Sequence, residues 1–388
     1  MNITGIICEY DPFHLGHKKQ LDHIRSADPE AGIVCLMSGN YVQRGKPAIL
    51  DKQLRAQAAV LCGADLVLEL PVTASLSSAE GFASQGVRLL GSFCQNLCFG
   101  AEHPDPELFM ETAQVLLSDT FRQKLVEVLS EGLSFPAARQ KALTALACPS
   151  SLLEEPNNIL GVEYCKAIIS QNSNMDPYPI QREGSYHASI PDPENPSATS
   201  IRTKMLAGLP WQDYIPEVAY PLFQSGSLHA LFAGEGAILA KLRTMTEAEF
   251  QSLPFGSEGL WRKLMHCSRQ ESSLEDILSH TKSKRYTRSR LDRMVMCAFL
   301  GITEQDLSAP VPYARVLSFN ERGKQILRIA RCHGSYPNIG ERQEHPYQLL
   351  ENRASDLYGL FCLNGPEKPG MEAKRRVFYD RRIEDECK

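Results

Sequence analysis

Ile3-Thr4-Gly5-Ile6-Ile7-Cys8-Glu9-Tyr10-Asp11-Pro12-Phe13-His14-Leu15-Gly16-His17 is a short apolar run that breaks at Asp-Pro and restarts as H-x-G-H. Ile3 to Cys8 carries no charge and is rich in β-branched residues, which predicts a buried strand. Asp11-Pro12 can continue neither a central strand nor a helix interior, so the chain must turn there. From Leu15 the positions Leu15, Lys18, Lys19, Leu21, Asp22 and Ile24 predict an amphipathic helix, with His14 and His17 on one face of its first turn. The free amides and positive dipole end of such a turn favour a phosphate, and Gly16, lacking a Cβ, lets a ligand approach the backbone. An ATP α-phosphate suits that place. With 10 His and 26 Gly in 388 residues, H-x-G-H arises by chance roughly once in sixty such chains. The preceding strand and turn supply the context that gives it meaning. A zinc site is disfavoured here, because His-x-x-His supplies only two ligands.

Strand-like and helix-like segments then alternate: Gly32 to Met37, Leu50 to Cys62, Ala64 to Leu70, Ser77 to Leu90 and Asn96 to Phe99. This order predicts an α/β fold with a Rossmann-like, doubly wound parallel sheet, whose ligands bind at the carboxyl ends of the strands. Those ends read Glu9-Tyr10-Asp11, Ser38-Gly39-Asn40, Glu69-Leu70-Pro71 and Gly100-Ala101-Glu102. Residues 104–146 are helical in pattern, Pro156-Asn157-Asn158 reads as a turn and cap before a helix from Ile159, and Tyr178 to Gln181 reads as another strand. A mostly helical region follows, and near the end Tyr313 to Phe319 reads as a strand and Gly323 to Arg331 as a helix.

Composition narrows the classes. At 388 residues and 43% hydrophobic content the chain can bury two or three cores. No window approaches 18 uninterrupted apolar residues, and no basic segment precedes a cleavable apolar one, so neither a membrane span nor a secretion signal is expected. The expected location is cytoplasmic. The 12 cysteines are scattered, without C-x-x-C, and read as reduced, buried hydrophobes. Net charge is −5, yet residues 282–293 carry six basic residues against one acid around Tyr286, and Lys374-Arg375-Arg376 with Arg381-Arg382 form a second cluster. Two such clusters in an acidic chain point towards RNA-backbone contact.

Arg182 to His187 and Ser197-Ala198-Thr199-Ser200-Ile201-Arg202 put hydroxyls and arginine at a helix start, as a triphosphate tail requires. Ser200 and Arg202 are therefore candidate phosphate or pyrophosphate ligands, with Lys204 a possible helper; Pro191 to Pro196 reads as a stiff loop leading into them.

Taken together, G-I-I-C-E-Y-D-P-F-H-L-G-H, M-S-G-N-Y-V-Q-R-G-K-P-A from Met37, F-G-A-E from Phe99, P-N-N-I-L-G-V-E-Y from Pro156, S-A-T-S-I-R, K-R-Y-T-R-S-R from Lys284 and Y-A-R-V-L from Tyr313 resemble the tRNA(Met) cytidine acetate ligases, within the H-x-G-H nucleotidyltransferases. The resemblance runs almost end to end. It implies that acetate and ATP give acetyl-adenylate and pyrophosphate, and that the acetyl group then passes to N4 of the wobble cytidine of elongator tRNA(Met). It also implies an ATP site made of Ile7, Cys8, Glu9, Tyr10, Asp11, Pro12, Phe13, His14, Leu15, Gly16, His17, Lys18, Lys19, Gln20, Gly100, Asn157 and Arg182, with Asn158 the alternative to Asn157. His14 and His17 are the expected catalytic pair. Lys284, Arg285, Arg288 and Arg290 are the expected tRNA contacts. Mg²⁺ is expected with ATP, and Glu9 and Asp11 are the carboxylates nearest in sequence. The corresponding organisation is a catalytic α/β domain at 1–204, a helical tRNA-binding region at 205–305 and a small α/β lobe at 306–388. A small-molecule nucleotidyltransferase releasing pyrophosphate is the alternative reading, and a non-catalytic RNA-binding module a more distant one.

Overall fold

The apolar run at residues 3–8 forms an interior strand of a seven-stranded sheet in a computed structural model that describes residues 1–133, 135–148, 151–182, 196–332 and 346–382. The strands are β1 (Ile3–Cys8), β2 (Gly32–Ser38), β3 (Tyr41–Val42), β4 (Lys46–Pro47), β5 (Leu66–Leu70), β6 (Asn96–Ala101), β7 (Asp176–Gln181), β8 (Arg315–Phe319) and β9 (Phe378–Tyr379). The large sheet has the order β7-β6-β1-β2-β5-β8-β9, while β3 and β4 form a separate hairpin. β1 is parallel to both β2 and β6, so the winding direction reverses between β1 and β6. In an open α/β sheet that reversal places a crevice beyond the carboxyl ends of these two strands.

Period-two alternation divides β1 between two cores. Ile3 and Ile7 join one core with Val34, Leu68, Phe82, Phe109 and Val162, whereas Ile6 joins the opposite one with Leu21, Ile24, Ile33, Ala59 and Ile201. The helix α1 (Leu15–Ala27) and the helix α2 (Lys52–Leu61) cover this second face. A third core, built from Leu242, Phe250, Leu264, Ile277, Met294, Phe299 and Tyr358, is helical and takes in Tyr41 and Leu76 from the first part of the chain. Among the described residues no helix is long and apolar enough to cross a membrane.

Two expectations need correction. The helix expected from Ile159 starts at Pro156. Proline suits the first helical position because its missing N–H would find no intrahelical acceptor there. The segment expected as a separate terminal lobe instead extends the main sheet. β8 pairs antiparallel with β5, and β9 pairs with β8, so the sheet is not wholly parallel. Ile326 and Ala330 of the helix Glu321–Cys332 belong to the first core, and a Cβ on Gly32 of β2 would meet Ile326 Cδ1 at 2.8 Å. Asp65 ties the two parts together, its carboxylate accepting from Ile33 N at 2.8 Å and from Asn320 Nδ2 at 3.0 Å. Glu183 to His187, Pro191 to Asn195 and the Pro/Gly-rich stretch at 334–340 lie outside the described residues.

Candidate active site

Beyond β1 the chain leaves the sheet through Tyr10, which sits in the left-handed region at φ 47°, and a cis Asp11-Pro12 bond. Tyr10 and Phe13 are buried and meet edge to face at 4.9 Å, with the His17 ring 4.7 Å from Tyr10 and 5.6 Å from Phe13. His14 is the N-cap of α1. Its Nδ1 accepts from Gly16 N at 3.1 Å, while His14 N donates to His17 Nδ1 at 3.3 Å. This reciprocal pair is a capping box made of two histidines, and their rings stack at 3.7 Å.

The cap decides the tautomer. Each Nδ1 accepts a backbone proton, so in the neutral ring the hydrogen must sit on Nε2. Both imidazoles therefore carry an Nε2–H donor beside the free amides of the helix start. Burial, with Arg182 and Arg202 nearby, pushes the His14 ring down from 6.5 to about 3. Burial, then His14 and Arg182, likewise holds His17 well below the ordinary range. At neutral pH the pair is uncharged and donates without giving up a proton. A Cβ on Gly16 would lie 3.0 Å from His14 Cε1 and 3.9 Å from Pro196 O, pressing on the ring that glycine leaves room for.

The lowered values have a consequence for stability. Between about pH 3 and 6.5 the unfolded chain binds a proton at position 14 that the folded chain refuses, so stability falls as pH falls through that window. The slope is up to about 1.4 kcal/mol per pH unit. His14→Asn keeps an N-cap acceptor without the titrating ring. Its melting temperature is expected to fall less steeply between pH 6.5 and 4; equal slopes in the two proteins would refute the assignment.

Arg202, on the helix Ala198–Leu206, reaches back to this turn: Nη1 donates to Asp11 O at 2.5 Å and lies 3.3 Å from Asp11 Oδ2, and Nη2 donates to Thr199 Oγ1 at 3.0 Å. Ser200 is buried and its hydroxyl donates to Ser197 O at 2.8 Å, while Ser197 caps the helix by accepting from Ser200 N at 3.2 Å. At the end of β6, Arg182 N donates to Ala101 O at 2.8 Å, and a Cβ on Gly100 would meet only Arg182 Cβ, at 4.0 Å. Glu102 clasps the start of the helix Pro156–Ser170, accepting from Asn157 Nδ2 at 2.6 Å and Asn158 N at 3.2 Å. Asn158 is fully buried and its Oδ1 accepts from Glu102 N, so the half-buried Asn157 is the better placed of the two to meet a ligand.

Thus His14, Gly16, His17, Arg182 and Arg202 come together at the reversal of the sheet, and Gly100 and Asn157 stand at the end of the neighbouring strand. Other expected site residues are spent differently. Ile7 points into a core, which leaves its backbone alone for a ligand, and half-buried Cys8 packs against the opposite core. Leu15 is half-buried, Gln20 turns to Cys98 Sγ at 3.6 Å, exposed Lys19 lies on the outer face of α1, and Lys18 pairs with Asp22 at 2.7 Å. Glu9 accepts from Gln43 N at 2.6 Å and Asp11 from Ile49 N at 2.7 Å. These bonds, and Arg202 on Asp11, engage the two carboxylates nearest H-x-G-H in sequence.

The expected basic surface is partly structural. Arg288 is held by Glu275 at 2.6 Å and Asp292 at 3.0 Å, and Arg290 donates to Phe255 O at 2.8 Å. Lys284 and Arg285 are the exposed pair, Arg285 facing Glu258 at 3.0 Å. In the second cluster Arg375 turns inward to Asp51 and Glu372, and Arg382 pairs with Asp380 at 2.7 Å.

One site residue escaped the sequence reading. Arg55 on α2 is fully buried and donates to Leu50 O at 2.9 Å, Glu9 O at 2.5 Å, Ser38 O at 3.2 Å and Gly39 O. It pins the carboxyl ends of β1 and β2 together. The available signal was an arginine sharing a helix face with Ala58 and Ala59, where a purely apolar residue would be expected.

A mostly parallel sheet with a histidine-capped helix at its reversal fits a nucleotidyl transferase of the HIGH class, and the HIGH Nucleotidyl Transferase family model matches residues 1–371. The chain belongs to the tRNA(Met) cytidine acetate ligase family. It is 36% identical to the tRNA(Met) cytidine acetate ligase of Clostridium acetobutylicum over 93% of this chain and 96% of that one. It is 32% identical to that of Acetivibrio thermocellus over 97% and 99%. Thermotoga maritima TmcAL in its apo form superposes with a TM-score of 0.90 at 28% identity, covering 98% of this chain and 100% of that one. The same protein bound with alpha-thio ATP superposes at 0.87.

Proposed function

We propose that this chain is an ATP-dependent ligase that activates acetate as acetyl-adenylate and transfers the acetyl group to N4 of the wobble cytidine of elongator tRNA(Met), forming N4-acetylcytidine. The observation that carries the reading is the stacked, neutral His14–His17 pair with both Nε2–H donors beside the start of α1, in a chain of this family. In the first step an acetate oxygen attacks the α-phosphorus in line, a new P–O bond forms, and the bond to the β-phosphate breaks to release pyrophosphate. Such a reaction needs positioning and charge stabilisation, not a protein nucleophile. The helix amides and the two imidazoles suit the phosphate oxygens, and Arg202 and Arg182 suit the charge growing on the leaving pyrophosphate. Mg²⁺, expected with ATP, would neutralise part of the phosphate charge when bound. In the second step cytidine N4 attacks the acetyl carbonyl, AMP leaves, and the nitrogen releases its proton to water. The mixed anhydride is already activated. Exposed Lys284 and Arg285 are the proposed tRNA-backbone contacts.

The test is exchange of labelled pyrophosphate into ATP, with and without acetate, followed by mass analysis of elongator tRNA(Met) nucleosides. Acetate-dependent exchange and acetylcytidine are expected. Exchange without any need for a carboxylate would favour the small-molecule nucleotidyltransferase instead. Lys284→Glu with Arg285→Glu is expected to weaken tRNA binding while leaving acetate-dependent exchange intact.

A further inference from the structure

Away from this site, the segments 228–230 and 361–363 are laced together by an antiparallel bridge between His229 and Cys362. Ala230 N donates to Phe361 O, and Leu363 N to Leu228 O, each at 2.9 Å. The His229 ring is buried and stacks on Tyr358 at 4.0 Å. Its Nδ1 lies 3.2 Å from Ser227 O. A carbonyl can only accept, so in the neutral ring the hydrogen is on Nδ1 and Nε2 presents a bare lone pair. That Nε2 is buried and has no hydrogen-bond partner. Glu367 Oε2 stands 3.4 Å from it, lone pair against carboxylate. The buried Cys362 Sγ completes the group, the three ligand atoms lying within 4.8 Å of one another.

Two acceptors and a thiol facing one another call for a positive charge among them, supplied either by a second ring proton on Nε2, which would pair His229 with Glu367 at 3.4 Å, or by a bound cation. We propose that His229, Cys362 and Glu367 bind one divalent transition-metal cation, Zn²⁺ by its ligand set, with water as the fourth ligand. Imidazole, thiolate and carboxylate together suit Zn²⁺ rather than Mg²⁺ or Ca²⁺. A tetrahedral site with such bonds spaces its ligand atoms about 3.5 Å apart. Nε2 and Oε2 already stand at that spacing, and Glu367, exposed at 40%, is free to close on the sulfur. Its backbone is anchored, with Glu367 N donating to Gly359 O at 3.1 Å. The Ser227 carbonyl, 3.2 Å from Nδ1, orients the ring as metal-bound histidines require.

The site is a staple rather than a reaction centre. His229 N donates to Ile49 O at 2.9 Å, Tyr358 Oη donates to Ala48 O at 2.8 Å, and Ile49 N holds Asp11 at 2.7 Å. A metal here would fasten the loop that braces the turn before H-x-G-H to the end of the helical core. No short spacing motif announces it, because the histidine and the cysteine come from distant parts of the chain.

The full-length protein, stripped with a chelator, would be titrated with Co²⁺ alone and read by absorption. The expected result is saturation at one Co²⁺ per chain, with a thiolate-to-cobalt band in the near ultraviolet and the visible bands of tetrahedral cobalt, both bleached by Zn²⁺. Cys362→Ser should lose the thiolate band. Glu367→Ala, an exposed substitution that leaves the fold intact, should weaken Zn²⁺ binding by about tenfold or more. Absence of the thiolate band in the unmodified protein, its persistence in a folded Cys362→Ser, or unchanged Zn²⁺ affinity in Glu367→Ala would overturn the proposal.

Discussion

His17→Ala is expected to slow acetate-dependent pyrophosphate exchange by about 10²–10³, the usual cost of losing one preorganised donor to a developing anion. The variant also loses the Nδ1 acceptor for His14 N and the ring on which His14 stacks at 3.7 Å. The stability cost of a lost cap is only about 1 kcal/mol. Kinetics and folding should therefore separate: melting temperature barely moves while exchange collapses. His17→Gln sharpens the distinction, because glutamine at the third helical position restores a capping-box acceptor without restoring the imidazole donor. It should recover stability and leave exchange slow. Full exchange in a folded His17→Ala would remove the histidine pair from the chemistry and leave it a helix cap only.

Arg55→Met should destabilise the protein by about 3–5 kcal/mol, a large effect for one substitution. The side chain is fully buried, and its removal strands the carbonyls of Leu50, Glu9, Ser38 and Gly39. Each buried acceptor left without a donor costs about 1–3 kcal/mol, and the losses are not additive because the strand ends relax together. Arg55→Lys keeps the charge but cannot span acceptors on two strands with one ammonium, so it should recover only part of the loss. Urea unfolding with Gln57→Met on the same helix as a control measures both. A midpoint shift for Arg55→Met no larger than the control's would show that water satisfies those carbonyls. Because Glu9 directly follows β1, which frames the crevice, and Gly39 follows its neighbour β2, pyrophosphate exchange should fall in the folded fraction of Arg55→Met as well.

The alternation of apolar strands with helices, the break at Asp11-Pro12 and the helix from Leu15 with His14 and His17 together at its first turn were all legible in the residues, and these are features of short range. Period two in Ile3 to Cys8 reports which side chains share a face, and H-x-G-H closes a cap within four residues. The tertiary structure alone decided which distant segments meet. A strand's own pattern says that it is buried but not beside what. Nothing in residues 315–319 reveals that they pair antiparallel with residues 66–70 in the same sheet. A charge in sequence likewise carries no statement of its partner. Arg288, Arg290 and Arg375 read as an RNA-facing surface until packing set Glu275, the Phe255 carbonyl and Asp51 against them. The same holds for Glu102 clasping Asn157, for Arg55 on four carbonyls, and for His229 facing Cys362. Local periodicity and caps are governed by interactions between near neighbours, so sequence determined them; pairings across the chain depend on which loops the folded sheet brings together, so only the three-dimensional arrangement could.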